Sequence, residues 1–274
     1  PGTPRGIGEV VAERYEILEE LGRGTSGTVY RAADLHVDSE HEVVAIKAIH
    51  AHLHADRQIC GRFRREVEIL RRLEGEHLCK LLDYIEADGL LLMVLEYVQG
   101  PSLDSYVEDH GPLPLAEIVA IFQQIGVALD AAHQGGIIHR DLKPSNVLIE
   151  GVDRPVDEGN GPRSFLRNLW VRVVDFGLAK IVVGDGGGTA LTEHDMVFGT
   201  PDYMAPEQVA GEELDQRCDV YAAGVMLYEL VVGKVPFEVP GALDTMAAHL
   251  NQAVPAPSST ALHREITPSL EAVI

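Results

Sequence analysis

The octapeptide "HRDLKPSN", beginning at His139, sets an aspartate and an asparagine five residues apart, Asp141 and Asn146, with Lys143 between them. After a strand-like run, "DFG" begins at Asp175 and supplies a second carboxylate. Those residue types in that order suit phosphoryl transfer. One carboxylate orients an attacking hydroxyl, while an amide and another carboxylate hold a divalent cation against phosphates. Such a transition state needs little covalent help, so positioning and charge neutralisation supply most of the rate. A third stretch, "ELGRGTSGTVYRAAD" from Glu20, spaces Gly22, Gly24 and Gly27 as G-x-G-x-x-G. In a dinucleotide-binding unit that spacing leaves a strand and opens a helix. Here Thr28, Val29 and Tyr30 follow, β-branched or aromatic, and predict a second strand. No Gly-Lys-Ser/Thr closes the loop, which excludes a P-loop. A strand–glycine loop–strand hairpin remains.

These side chains must be placed by the elements around them, and the texture of the chain changes along its length. From Tyr15 to Tyr97 it is mostly strand-like: "YEILEEL", "GTVYRAAD", "VVAIKAI" and "LLMVLEYV", separated by turns. One helix interrupts them, "RFRREVEILRRL", with Phe63, Val67, Leu70 and Leu73 at helical spacing. After Gly100 the pattern turns helical, in "LDSYVEDHG", "LAEIVAIFQQIGVALDAAHQGG", "DVYAAGVMLYELVVG" and "ALDTMAAHLNQ". A strand-rich lobe followed by a helix-rich lobe is the expectation, an α+β chain. Residues 1–14 read as a loose leader. The turn-rich stretch 151–169 separates the strands "NVLIE" and "WVRVVDF" and reads as a long hairpin connection. "VGDGGGTALTEHD" from Val183 is glycine-rich and expected to be mobile.

With 274 residues, 46% of them hydrophobic and 24% charged, the chain has the composition of an ordinary globular protein with room for two cores. Its formal net charge of −21 argues against nucleic acid as a partner. Cys60, Cys79 and Cys218 are dispersed and form no C-x-x-C pair, which suggests a reducing compartment and inert thiols. No signal peptide is evident. The apolar run from Val220 is too short for a comfortable bilayer span and carries Glu229, so a buried core helix is expected and no membrane segment within the chain. Because the sequence opens on Pro1, it reads as a piece of a longer protein. The expected location is cytoplasmic, either free or as the cytoplasmic domain of a membrane-anchored protein.

Taken in order, "GRGTSGTV", "VAIK", "FRREVEIL", "LEYVQG", "HRDLKPSN", "DFG", "GTPDYMAPE" and "DVYAAG" resemble a bacterial-type (Hanks-type) serine/threonine protein kinase from Tyr15 to the end of the chain. The resemblance implies the bilobal kinase fold: a β-rich N-lobe over 15–95 with one regulatory helix, a hinge over 96–100, and a mainly helical C-lobe over 101–274, with ATP in the cleft. It implies Asp141 as catalytic base, Lys143 on the γ-phosphate, and Lys47 on the α- and β-phosphates, held by Glu66. Gly22, Gly24 and Gly27 would let backbone approach the phosphates, under Leu21 and Val29. Ala45 and Leu148 would sandwich adenine, Leu95 would be the gatekeeper, and backbone groups of Glu96 and Val98 would bond the base. Asn146 and Asp175 would ligate Mg2+ or Mn2+. Thr192, and second Thr189, would accept phosphate in the mobile segment, with Arg140 as the cation docking it. Lys143 and Thr200 resemble the serine/threonine branch, so proteins bearing Ser or Thr are the expected substrates. Regulatory dimers occur in the family, so a homodimer is a further expectation.

Plainer readings stand beside these. "HAHLH" from His50 could align metal ligands, but a solvated loop is preferred. The basic helix is a regulatory helix and not a nucleic-acid surface in so acidic a chain. Glu68 competes with Glu66 for the lysine partner. Phe176, His139 and Leu70 are expected to stack as packing residues, Asp219 to brace the catalytic loop, and Trp170 to pack at its strand end. Two departures from the family pattern appear: the long connection over 151–169, and an end at Ile274 inside an implied further helix. That end leaves no arginine to pair Glu207, and the C-lobe is expected to be truncated. Two rival functions remain open at this point, a nucleotide-binding pseudokinase scaffold and a small-molecule kinase of the antibiotic-phosphorylating type.

Overall fold

A computed structural model of the chain describes residues 6–24, 27–36, 42–49, 67–87, 90–150, 169–176, 201–261 and 264–274. Two compact units result. The first comprises the described residues within Pro1–Glu74 and Leu78–Val98, the second those within Gly75–His77, Gln99–Phe176 and Gly186–Ile274.

The first unit is a sheet of six antiparallel strands: β1 (Val10–Val11), β2 (Tyr15–Arg23), β3 (Gly27–Asp34), β4 (Val43–Ile49), β5 (Leu81–Ala87) and β6 (Leu90–Glu96), in the order β1-β2-β3-β4-β6-β5. β1 lies in the stretch expected to be a loose leader, and β5 was not among the expected strands. Strand alternation sends Val44, Ile46 and Ala48 of central β4 into a core with Tyr15, Ile17, Tyr30, Ala32, Leu92 and Val94. At one corner the Arg14 guanidinium grips Asp34 through Nε and Nη2 at 2.8 and 2.7 Å, and Asp83 lies 4.0 Å from the same fork. That pairing fixes where β2 begins against the end of β3. Residues 67–70 are helical.

The second unit carries a two-stranded antiparallel ribbon, β7 (Val147–Glu150) with β8 (Trp170–Val173), as the hairpin reading requires. Its helices are α1 (Leu103–His110), α2 (Leu115–Gln134), α3 (Pro206–Ala210), α4 (Arg217–Val232), α5 (Ala242–Asn251), α6 (Pro257–Thr260) and α7 (Pro268–Glu271). α2 is long and apolar enough to cross a bilayer by length and composition. Ile118, Ile121, Ile125 and Leu129, recurring at helical spacing, are buried where α2 packs on β8 and α4, which marks it as a core helix. α4 is the apolar run from Val220; Val225, Met226, Tyr228, Leu230 and Val231 are buried along it. His77 belongs with this unit for three reasons. Its Nδ1 lies 3.0 Å from the Val171 carbonyl, its own carbonyl accepts from Val173 N–H at 2.8 Å, and its ring sits 4.7 Å from Trp170.

The three loop glycines differ in what the fold demands of them. A Cβ on Gly27 would collide with the Ala48 carbonyl of β4, whereas among the described residues one on Gly22 would meet nothing within 4 Å and one on Gly24 the Gly27 carbonyl at 3.9 Å. Gly27→Ala is therefore expected to cost about 1–3 kcal/mol of stability. Gly22→Ala should stay within about 0.5 kcal/mol of the parent. Urea unfolding of the two variants checks this, and equal midpoints would refute it.

Candidate active site

In the first unit the expected nucleotide-binding side chains fall on one sheet face. β3 and β4 pair Val29 with Lys47, and β4 and β6 pair Ala45 with Leu95. Ala45 and Lys47 alternate with the core-facing Val44, Ile46 and Ala48, so Val29, Ala45, Lys47 and Leu95 share the face opposite that core. Lys47 is 5% exposed. A β-bulge between Glu20 and Gly22 makes Leu21 the extra residue, and Gly22 resumes the ladder opposite Val29. Leu21 stands 46% exposed beside the glycines. Glu96 gives its N–H to the Lys80 carbonyl at 2.9 Å, and its carbonyl accepts from the Cys79 thiol at 3.4 Å. Val98 is buried. Glu68 is exposed and lies 3.9 Å from Arg71. Glu66, the histidines from His50, Cys60, Thr189, Thr192, Thr200 and residues 151–168 lie outside the described residues.

In the second unit Asp141, Lys143 and Asn146 come together as expected. Lys143 Nζ lies 3.1 Å from Asp141 Oδ2. Asn146, buried to 6% exposure, donates from Nδ2 to the Asp141 backbone carbonyl at 2.7 Å and to Asp141 Oδ2 at 3.3 Å. With Nδ2 committed there, the amide oxygen is the Asn146 atom left to ligate a cation. The turn Pro144–Asn146 leads directly into β7, and Val174 N–H donates to the Asn146 carbonyl at 2.9 Å, which draws the residue before Asp175 to the same loop. Leu148 is half-buried in β7, with Ser102 bridging to it.

Among the described residues, left-handed backbone at non-glycine positions occurs at Ala12 and Glu13 in the first unit and at two positions here. Arg140 and Asp175 hold φ of 64° and 62°, left-handed values that cost a non-glycine residue of order 1–3 kcal/mol. The brace is Asp219, 1% exposed at the start of α4. Its Oδ2 accepts from His139 N–H at 2.8 Å and from His133 Nε2 at 2.7 Å, and its Oδ1 accepts from Arg140 N–H at 2.8 Å. The His139 ring adds a second tie. Nε2 lies 3.0 Å from the Val174 carbonyl while Nδ1 accepts from Asp141 N–H at 3.3 Å, which assigns the proton to Nε2. Phe176 tilts onto that ring at 4.6 Å, the packing role expected of the pair. Cys218, next to Asp219, is inert: burial, then the Asp219 charge, push its thiol up to about 12.

Sequence reasoning missed the groups beneath the "GTPDY" turn, whose described part is Pro201–Tyr203. Tyr203 Oη donates to Glu229 Oε2 at 2.7 Å. Burial raises the Glu229 carboxyl above its ordinary range, against the lowering effect of that hydrogen bond, and nearby Asp202 and Asp104 raise it further. His249 on α5 is 5% exposed, its Nδ1 lies 2.8 Å from Tyr221 Oη, and its ring meets Phe237 edge-on at 4.9 Å. His249 Nε2 is buried with no hydrogen-bond partner among the described residues. His133, the second donor to Asp219 Oδ2, was also missed. No sequence signal separates it from any other helix-ending histidine. Trp170 packs at its strand end, against His77.

Comparison with known proteins follows this geometry. The protein kinase domain family matches residues 15–273. The chain is 37% identical over 275 residues to serine/threonine-protein kinase pkn3 of Myxococcus xanthus, covering 100% of this chain and 48% of that protein. It is 34% identical to serine/threonine-protein kinase PrkC of Bacillus subtilis, over 91% of this chain and 35% of that one. Among solved structures, the kinase domain of Mycobacterium tuberculosis PknI superposes with a TM-score of 0.67 at 26% identity, covering 94% of this chain and 85% of that one. The chain thus spans about a third to a half of the length of these curated relatives.

Two outcomes follow from the buried groups. Asp219→Asn keeps the side chain's shape but sets an N–H2 against one of its donors, and is expected to cost about 2–3 kcal/mol in urea unfolding. A loss below about 0.5 kcal/mol would show that the carboxylate is not what holds the loop. Burial lowers the His249 pKa from its ordinary 6.5, offset only in part by Asp202. As pH falls below that ordinary value the unfolded chain takes up a proton that the folded chain refuses. This contribution to stability is therefore present above 6.5 and lost between 6.5 and the lower folded value. His249→Gln should flatten that slope, as read by urea midpoints across the window; parallel slopes in parent and variant would contradict it.

Proposed function

The chain belongs to the protein kinase domain family, and on that premise we propose that it transfers the γ-phosphoryl group of ATP to serine and threonine hydroxyls of proteins, itself included. The observation that carries this is the Asp141 carboxylate on its braced loop, 3.1 Å from Lys143 Nζ and 3.3 Å from Asn146 Nδ2. Asp141 accepts the proton of the attacking hydroxyl and fixes its direction. Lys143, on the same carboxylate, supplies positive charge to the phosphoryl group as it moves. The approach at Gly22, where a Cβ would meet nothing within 4 Å among the described residues, suits backbone contact with phosphates. Lys47, held in the middle of a sheet, pairs the remaining phosphates, with Glu66 as its partner. Leu21, Val29, Ala45, Leu95 and Leu148 supply the apolar surface for adenine, and backbone groups of Glu96 and Val98 its polar contacts.

The family uses ATP with a divalent cation. Of the residues present, the Asn146 amide oxygen and the Asp175 carboxylate form a hard-oxygen donor set, which favours Mg2+ with Mn2+ as a substitute. When bound, that cation neutralises phosphate charge. The chain's own contribution is to hold the two donors at fixed backbone geometry, through the Asn146–Asp141 hydrogen bonds and the left-handed Asp175. Autophosphorylation at Thr192, or secondarily Thr189, would place about −2 charge within the segment before "GTPDY", and Arg140 is the cation assigned to receive it. A homodimer and a cytoplasmic location, as part of a membrane-anchored protein or not, complete the reading.

Intact mass measured before and after incubation with Mg-ATP tests the proposal. The chain is expected to gain mass in steps of about 80 Da while Asp141→Asn gains none. Equal gains in both, or transfer to an aminoglycoside in preference to a peptide, would overturn it.

A further inference from the structure

We propose that Gln208, on the short helix α3, is a positioning residue for Asp141. This rests on the kinase reading above and names a residue that reading does not use. Gln208 is half-buried and both ends of its amide are spent. Its Oε1 accepts from Ala205 N–H at 3.0 Å, and its Nε2 donates to the Arg140 backbone carbonyl at 2.8 Å. The orientation of the amide is forced, since a flipped side chain would set donor against donor at Ala205 and acceptor against acceptor at Arg140.

The bond to Arg140 matters because of which peptide it holds. The plane joining Arg140 to Asp141 has two polar groups. Its carbonyl is the one Gln208 holds, at 2.8 Å, and its N–H donates to His139 Nδ1 at 3.3 Å. Asp219 grips the preceding plane, through Arg140 N–H. Left-handed Arg140 sits between the two planes. Asp219 thus fixes the entry to the strained residue, and Gln208 fixes the exit, the peptide from which the base projects. Without Gln208 that plane loses the shorter of these two hydrogen bonds, and the backbone from which the Asp141 carboxylate projects loses that support.

Gln208 also ties two functions together. Its acceptor half holds Ala205 N–H at the start of α3, and the turn Pro201–Tyr203 precedes it directly, with Met204 N–H on the Pro201 carbonyl at 3.1 Å. That turn lies in the "GTPDYMAPE" stretch, which resembles the peptide-positioning segment of protein kinases. A displacement of residues 205–208 is transmitted to the base through one amide. Ala205 has no side-chain acceptor to return to the helix, so the cap rests on the Gln208 side of the exchange.

Two variants distinguish positioning from bulk structure. Gln208→Ala removes both bonds. Gln208→Glu keeps the acceptor for Ala205 but sets a carboxylate against the Arg140 carbonyl until it is protonated, when it becomes isosteric with glutamine and donates an O–H. Expected for Gln208→Ala is a roughly tenfold lower kcat for peptide phosphorylation, with the KM for ATP within about twofold. For Gln208→Glu, kcat relative to the parent should recover as pH falls from about 8 to about 5.5. Amide hydrogen exchange of the segment around Asp141, without nucleotide, should quicken in Gln208→Ala while the β7–β8 ribbon is unchanged. Parental kcat and exchange in Gln208→Ala would overturn the proposal. So would a loss that follows the unfolded fraction with no recovery of Gln208→Glu at low pH. A parent chain that transfers no phosphate refutes the kinase reading instead, and the exchange comparison then still decides whether Gln208 holds the loop.

Discussion

The second unit depends on one buried carboxylate. Asp219 is 1% exposed and accepts from two consecutive backbone N–H groups and from His133, with a longer contact from the Cys218 thiol at 3.8 Å. An unpaired carboxylate at that depth would cost several kcal/mol, and this one is tolerated because the loop N–H groups of His139 and Arg140 and the His133 ring at the end of α2 converge on it. The loop in turn could not hold Arg140 left-handed without it, because that conformation offers no intrinsic compensation for its strain. Helix and loop stabilise each other: α4 supplies the acceptor, and the loop supplies the donors that make the acceptor affordable.

What surrounds this pair follows from it. α4 must sit deep in the unit to present Asp219, and its length is accordingly buried through Val225, Met226, Leu230 and Val231. Being central, it also offers Tyr221 to His249 and Glu229 to Tyr203, so the turn that starts at Pro201 is anchored on the same helix that braces the base. The β7–β8 ribbon closes the arrangement. Val147 pairs with Val173, the Asn146 carbonyl takes Val174 N–H, and His139 Nε2 reaches the Val174 carbonyl. The ribbon and the Val174–Asn146 bond draw the residue before Asp175 to the loop that carries Asn146.

Much of this was legible in the sequence. Alternation and β-branching located β2, β3, β4 and β6, and apolar spacing located α1, α2, α4 and α5, because those elements bury a regular face. β5 escaped: "LLDYIEA" mixes Asp83 and Glu86 into an edge strand whose outer side needs no apolar residue. α3, α6 and α7 are too short to show a period, although each begins on proline, a signal of helix start that went unused. Motif residues such as Asp141 and Asn146 were legible because their chemistry fixes their type. Gln208 and His249 were not, since their partners, the Arg140 carbonyl for the one and the Tyr221 hydroxyl and Phe237 ring for the other, are not neighbours in sequence. Only Gln208 left a trace, three residues after the helix cap, where a glutamine side chain reaches back to a backbone N–H.

The two units solve the same problem of precision by different physics, and this bears on how each tolerates change. Lys47 is fixed by sheet register. Its neighbours in the ladder are Val29 and Met93, its strand is buried on both faces, and a one-residue slip would carry its ammonium into the apolar core. Displacing it therefore requires disrupting the sheet, so substitutions around it act on folding first. Asp141 is fixed by side chains bonding to backbone, with no ladder beneath it. Its support can be weakened one hydrogen bond at a time while α2, α4 and the ribbon remain intact. The first unit is built to lose function by unfolding, and the second to lose it by loosening a loop within a folded body.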